Sequence, residues 1–401
     1  MADTSRRVTA RRAVPAVVAS LLMLVGAGAA LGFRAGPTPA APCTAADGAR
    51  SSDAPWDWTA LPAGMNPSYD LDMTDVDHGW ALVSDSELIV TTDGGRSWRD
   101  VTPPRLAVPS PPHLTTPLTW TAIDPLHAWV VTARAVDRTD DGGRTWCSVP
   151  SPASADGVQF VSDTTGYLWV GSEQPLGLWT TTDGGAEWTR VPLVAPQTPY
   201  PPYLAMVGWR DADTGWAVAQ TGVSSGMVGA LYVTHDGGIT WSEVTARFPD
   251  GLPDGPAPAP MRWFGSRDGC MVMSSGTGGG SPVTSGAYVT DDGGTRWMAV
   301  PPPSTSPALL SSQRGLACAG PDVLTAVLSD GTVETTSDGG RDWSEVGRQP
   351  SLASVVSMDF VNTDHGYLVT DPSEFPPFNF WAPEVVYATS NGGRALAQIL
   401  P

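Results

Sequence analysis

The sequence predicts an all-β protein: a seven-bladed β-propeller of four-stranded antiparallel blades, preceded by an N-terminal hydrophobic leader or anchor helix. Three observations predict it. An octet of the form Thr-x-Asp-Gly-Gly-x-x-Trp recurs seven times at intervals of roughly fifty residues, and a unit of that length cannot bury its apolar face except by stacking on copies of itself. Short β-prone runs flank the octets. Helical periodicity is nearly absent after the leader.

The copies begin at Thr91, Thr139, Thr181, Thr234, Thr290, Thr336 and Thr389. Their acidic position falls on Asp93, Asp141, Asp183, Asp236, Asp292 and Asp338, with Asn391 in the last. The paired glycines never fail, and the closing Trp (Trp98, Trp146, Trp188, Trp241, Trp297, Trp343) becomes Leu396 only in the seventh copy. Such a tip between two β-prone runs is a hairpin, because glycine reaches positive φ without a Cβ clash. The Asp carboxylate can lock the tip by accepting backbone N–H bonds, and the Trp offers a flat surface to the neighbouring unit. A weaker signature, Gly then an aromatic, precedes the hairpins: Gly79-Trp80, Gly166-Tyr167, Gly215-Trp216 and Gly366-Tyr367, with Ala128-Trp129 and Gly269-Cys270 as variants. Two hairpins per unit give strands A to D, the content of a propeller blade.

The hairpin resembles the Asp-box, or BNR, repeat of sialidases, sortilin-type receptors and several glycosidases. The combined pattern looks most like the photosystem II assembly-factor family and its relatives outside photosynthesis. The resemblance covers roughly residues 56–401. It implies a seven-bladed ring with the Asp boxes as structural turns on the blade edge, away from any active or binding site. It says much less about activity.

Ahead of the repeats, residues 1–12 carry Arg6, Arg7, Arg11 and Arg12, and residues 13–33 hold no charge. An apolar run of that length spans a bilayer, and the arginines place the N-terminus in the cytoplasm with everything after it outside. Two readings stand: a signal peptide cleaved near Ala27-Gly28-Ala29, giving a secreted product, or an uncleaved anchor to the plasma membrane. The length of the run and Arg34 directly after it favour the anchor. The expected organisation is therefore a signal peptide or signal anchor (1–34), a Pro/Ala/Ser-rich tether (35–55) and the propeller (56–401), extracytoplasmic, with membrane contact only through residues 13–33. Residues 56–62 read as a displaced D strand, and residues 58–61 are expected to pair with the seventh blade and fasten the ring.

The net charge is −19, and all 22 bases are arginine. Without residues 1–34 the chain keeps 17 bases against 40 acids, a surface that repels nucleic acid and anionic lipid. Four cysteines, Cys43, Cys147, Cys270 and Cys318, allow three pairings in an oxidising compartment, and none has a redox or haem-attachment spacing. Cys270 falls on strand B of blade five and Cys318 on strand A of blade six, so a staple between adjacent blades is the preferred pairing. Cys43 with Cys147 would instead tie the tether to blade two.

In a four-stranded blade the A–B and C–D turns share one face of the disc, and the B–C and D–A loops share the other. The Asp boxes are uniform, whereas the B–C distance runs from 14 residues in blade one (Gly79 to Asp93) to 21 in blade four and 25 in blade seven. Variation on a rigid scaffold marks where binding residues sit, so the face opposite the boxes is the candidate. On it, residues 371–384 present Phe375, Phe378, Phe380 and Trp381 stiffened by prolines, and Tyr200 and Tyr203 form a smaller instance. The competing reading is that these aromatics fold over the channel mouth. No Arg-Ile-Pro segment of the sialidases occurs, and Glu374 and Glu384 flank the aromatic loop without a fixed separation for glycoside hydrolysis. The five histidines show no metal spacing, and Asp70, Asp72, Asp75 and Asp77 read as polar edge positions rather than a calcium site. No catalytic residue, cofactor or metal is assigned. The first expectation is a monomeric, non-catalytic propeller that binds a protein or peptide partner, an assembly or scaffold factor for an envelope complex. The alternative is a carbohydrate-binding or glycosidase-like propeller.

Overall fold

The computed structural model describes residues 49–57, 67–106, 118–171, 176–192, 203–223, 226–244, 256–258, 261–275, 284–303, 315–371 and 383–400. Within them seven antiparallel sheets follow in chain order, each with its strands in sequential A-B-C-D order. Blade one is Tyr69–Met73, Gly79–Val83, Glu87–Thr91 and Arg99–Asp100. Blade two is Thr119–Ala122, Ala128–Val131, Ala135–Thr139 and Thr145–Pro150. Blade three is Gly157–Phe160, Gly166–Val170, Gly177–Thr181 and Thr189–Val191. Blade four is Tyr203–Trp209, Gly215–Val223, Gly226–Thr234 and Ser242–Glu243. Blade five is Arg262–Trp263, Gly269–Ser275, Thr284–Thr290 and Met298–Ala299, with Pro256–Pro258 added beside strand B. Blade six is Leu316–Cys318, Leu324–Val327, Thr332–Thr336 and Ser344–Arg348. Blade seven is Val355–Phe360, Gly366–Thr370, Val385–Thr389 and Ala397–Leu400.

Each Asp box is a closed hydrogen-bonded knot. In the first, Thr91 Oγ1 donates to Asp93 Oδ1 at 2.9 Å and accepts from the Gly95 N–H at 2.8 Å, while the Ser97 N–H donates to Asp93 Oδ1 at 2.9 Å. The seventh box keeps the pattern with an amide: Thr389 Oγ1 donates to Asn391 Oδ1, which also accepts the Ala395 N–H at 2.8 Å. An Asn carbonyl supplies the same acceptor, so the Asp-to-Asn change is neutral for geometry. Gly94 and Gly95 sit at φ of 71° and 85°, the left-handed region that a side chain strains. The first box glycine donates to the A–B turn of its own blade, as from Gly94 to Asp77 O and from Gly392 to Asp364 O, so boxes and A–B turns share one face.

The Gly-aromatic signature acquires a reason in three dimensions. The glycine that opens strand B pairs with the last residue of strand A, and that residue lies flat across it. A Cβ on Gly166 would stand 2.6 Å from the Phe160 ring, and one on Gly366 would stand 2.5 Å from Phe360. The aromatic that follows the glycine reaches the next blade and stacks on its strand-A ring. Trp129 stacks on Phe160 at 3.6 Å, Tyr167 on Trp209 at 3.5 Å and Trp216 on Trp263 at 4.5 Å. The box Trp closes each set edge-on: Trp188, Trp241 and Trp297. Such pairs add about 0.5–1.5 kcal/mol each beyond the area they bury.

Between blades five and six this plug is covalent. Cys270 occupies the position of the strand-B aromatic and Cys318 that of the strand-A ring, and the two form a disulfide with Cα atoms 6.2 Å apart, both buried. Cys147, on strand D of blade two, is also disulfide-bonded, and its partner lies outside the described residues.

Residues 58–61, expected to pair with the seventh blade, lie outside the described residues. Blade seven has its own fourth strand, Ala397–Leu400, and blade one its own four. Their junction is sealed by side chains: Tyr69, Ala81, Val83, Ile89 and Trp98 pack against Val369, Val386 and Leu400. The preceding segment instead lies over the rim of blades two and one. Ala49 and Arg50 pair with Trp146 and Thr145, Pro55 bridges Arg99, and the Trp56 indole donates to Glu87 at 2.9 Å. The leader lies outside the described residues, and no helix among those described is long and apolar enough to cross a membrane.

The disulfide closes a loop of 48 residues. Replacing both cysteines with serine is expected to remove about 4 kcal/mol of stability, read as a lower denaturant midpoint. Replacing them with a stacking pair, Cys270→Trp with Cys318→Phe, restores part of it.

Candidate functional site

The face opposite the boxes is built up by strand extension. In blade four, strands B and C each run nine residues and pair from Gly215–Thr234 out to Val223–Gly226, so the long B–C connection read from the sequence is a projecting β-hairpin. Blade five repeats this with two strands of seven residues, and Pro256–Pro258 pairs with the outer end of its strand B. Together they raise a wall on one side of that face. Of the aromatics singled out in the sequence, Tyr200, Phe375, Phe378, Phe380 and Trp381 lie outside the described residues, and Tyr203 opens strand A of blade four. Glu384, at the end of the aromatic segment, has a structural partner: its carboxylate accepts the Tyr69 N–H of blade one at 2.7 Å. Burial, with Glu384 beside it, pushes the Tyr69 phenol up.

The A strands of neighbouring blades lie against one another and surround the centre of the ring. The residue paired with the second position of strand B in each blade is Asp72, Thr121, Gln159, Gly208, Arg262, Ala317 and Asp359 in turn. In blade six that position is Ala317. Arg262 of blade five reaches past it and ion-pairs with Asp359 of blade seven. Gln159 bonds strand A of blade four in both directions, donating to Trp209 O at 3.0 Å and accepting its N–H at 2.8 Å. Trp120 Nε1 donates to Asp70 at 2.7 Å, joining blades two and one.

Asp72 is the electrostatic exception. It keeps part of its surface toward the channel, but protein surrounds it and starves the charged form of water. Burial first, then Asp359 and Asp70, push its carboxyl up to about 7, against the opposing pull of Arg262. The sequence flagged Asp70, Asp72, Asp75 and Asp77 as a cluster, and the fold separates their roles. Asp75 closes its own turn, accepting the Asp77 and His78 N–H groups at 2.8 Å and facing the His78 ring at 2.9 Å. Asp124 with His127 and Asn362 with His365 repeat that turn. Among the described residues no group of His, Cys, Asp and Glu is arranged to hold a metal ion. Sequence reasoning missed Arg262 and Asp359, because nothing local marks two residues 97 apart as partners.

Taken together, the sheets, the boxes and the central channel define an Asp-box seven-bladed β-propeller. Within that class the chain is similar to the photosystem II assembly-factor family: residues 110–251 match the model for "Photosynthesis system II assembly factor YCF48". The chain is 33% identical over 129 residues to the photosystem II assembly lipoprotein Ycf48 of Synechococcus sp. (strain CC9902), an alignment covering 31% of this chain and 35% of that protein. It is 26% identical over 226 residues to a probable oligoxyloglucan-reducing end-specific xyloglucanase of Neosartorya fischeri, covering 46% of this chain and 26% of that one. The chain thus spans about a third or less of the length of these curated relatives. Among solved structures, YCF48 bound to D1 peptide superposes with a TM-score of 0.50 at 16% identity, covering 77% of this chain and 90% of that one, a likeness of fold.

The sign of the Asp72 effect is fixed by its direction. A carboxyl that holds its proton in the folded state up to about pH 7, but loses it near pH 4 when unfolded, costs stability as pH rises through that window. The cost is constant above it. Asp72→Asn is therefore expected to raise the melting temperature at pH 8, leave it nearly unchanged at pH 4, and flatten the profile between.

Proposed function

We propose that this chain is a non-catalytic, extracytoplasmic propeller that binds a protein or peptide partner on the face opposite its Asp boxes. In that role it serves the assembly of an envelope complex. The observation that carries the reading is the asymmetry of the disc. One face is tiled by seven near-identical, self-satisfied knots, whereas the other carries the hairpins of blades four and five. A partner needs distinctive surface, and the second face supplies it. The solved relative whose fold superposes was captured with a peptide, and the matched relative from Synechococcus is named as an assembly lipoprotein. The Cys270–Cys318 disulfide suits an oxidising compartment, in keeping with export by residues 1–34.

A second reading is glycan recognition, favoured by the match to the xyloglucanase and by a channel carboxyl that holds its proton near neutral pH. Retaining and inverting glycosidases both need a protonated acid opposite a free carboxylate. Here the neighbouring Asp359 is already paired with Arg262, which weighs against it.

Crosslinking in intact cells, followed by recovery of the adducts, tests the first reading. Replacing Phe378, Phe380 and Trp381 with Ser is expected to abolish capture of the partner while leaving the melting temperature unchanged. Retained capture, or turnover of xyloglucan oligosaccharides by the unmodified protein, would overturn it.

A further inference from the structure

We propose that the junction of blades seven and one takes an extended, carboxylate-bearing peptide strand from a partner protein, laid along Ala397–Leu400 with that carboxylate on Arg96. The chain displays this mode of binding on itself one junction away. Residues 49–56 form a strap over the rim of blades two and one. The Ser51 N–H donates to Arg144 O at 3.2 Å, and the Trp56 N–H donates to Trp98 O at 2.9 Å. Between those two points Asp53 ion-pairs with Arg99 and, at 3.9 Å, with Arg144. Both arginines line a cavity of about 130 Å³ between blades one and two, where blade two offers only Ala122 in place of a stacking ring.

Among the described residues the next junction repeats these parts without a strap. Blade one supplies Met73 instead of a ring, and a cavity of about 460 Å³ opens between blades seven and one, lined by Arg96, His365, Tyr367, Ala397 and Gln398 among others. Arg96 holds the box position of Arg144, and His365 the turn position of His78, which lines the smaller cavity. Each box arginine commits one Nη1–H to its own turn, Arg96 to Asp93 O at 2.7 Å and Arg144 to Asp141 O at 3.0 Å, and has further donors to offer. Arg144 meets Asp53, whereas among the described residues no carboxylate pairs with Arg96. Ala397 stands where blade one has Arg99, which leaves the larger cavity. Ala397–Leu400 ends its sheet among the described residues, with Ala397 and Gln398 exposed, and so offers the edge that an added strand needs. Asp77 lines the same cavity in place of Leu126 and confines an incoming carboxylate to the Arg96 side. A strand held by backbone bonds satisfies both conditions better than a free anion. This site lies at the rim on the Asp-box side, so it stands apart from the loop-face reading.

The test uses the full chain, whose first site its own strap fills. A synthetic peptide with the sequence of residues 49–56, carrying a photoreactive group, is the probe. Crosslinks are expected around Arg96 and residues 397–399. Arg96→Glu in the protein, and Asn for Asp53 in the peptide, are each expected to weaken binding about tenfold with the melting temperature unchanged. Arg96→Gln, which leaves the turn without a reversed charge, gives a smaller loss. Absence of binding, crosslinks confined to blades one and two, or an affinity indifferent to Arg96 would overturn the proposal. The triple serine variant at Phe378, Phe380 and Trp381 retains peptide binding here, which separates failure of this site from failure of the loop face.

Discussion

A ring lying on a glycine, with a second ring laid over it from the blade before, is the contact on which the rest of this propeller depends. Seven sheets close a disc only if each junction has the same thickness, and that thickness is set at one spot: the last residue of strand A against the second residue of strand B of the preceding blade. Glycine opens strand B because a Cβ there would enter the ring, as at Gly166 under Phe160 and Gly366 under Phe360. Three junctions fill the spot with stacked aromatics, and one fills it with a disulfide whose sulfurs stand where the rings would. Two others place Met73 and Ala122 there, and a cavity lies at each of these two junctions.

The Asp boxes perform a different task. They satisfy most of the polar groups of a tight turn from within the box and from the A–B turn beside it. In the first box, burial pushes the Asp93 carboxyl up, but hydrogen bonds from Ser97 and Thr91 outweigh it and hold it below the usual carboxylate range. A carboxylate already bonded in this way is a poor candidate for chemistry, and that is why seven such motifs say so little about function.

Most of the architecture was legible because it is periodic. The box and the Gly-aromatic pair mark turns and strand starts in sequence, and both depend on local sterics that glycine makes visible. The pairing of Cys270 with Cys318 followed from placing each on its strand. The strap was not legible: a short run carries no label for the sheet it joins, and residues 49–55 of the expected tether lie on the rims of blades two and one. The channel cluster was equally hidden, since Arg262 and Asp359 meet only because blade six contributes an alanine between them. Aperiodic residues such as Glu384 were unreadable for the same reason; the sequence left its geometry open, and the fold gives its carboxylate the Tyr69 amide.

The strap has a mechanical meaning. Residues 49–56 meet the disc at its circumference, through a short antiparallel ladder on Thr145 and Trp146, then the Asp53 ion pairs, then the Trp56 anchor. Because it grips strand D of both blades, the strap clasps that junction from outside, where the inner packing offers only Ala122.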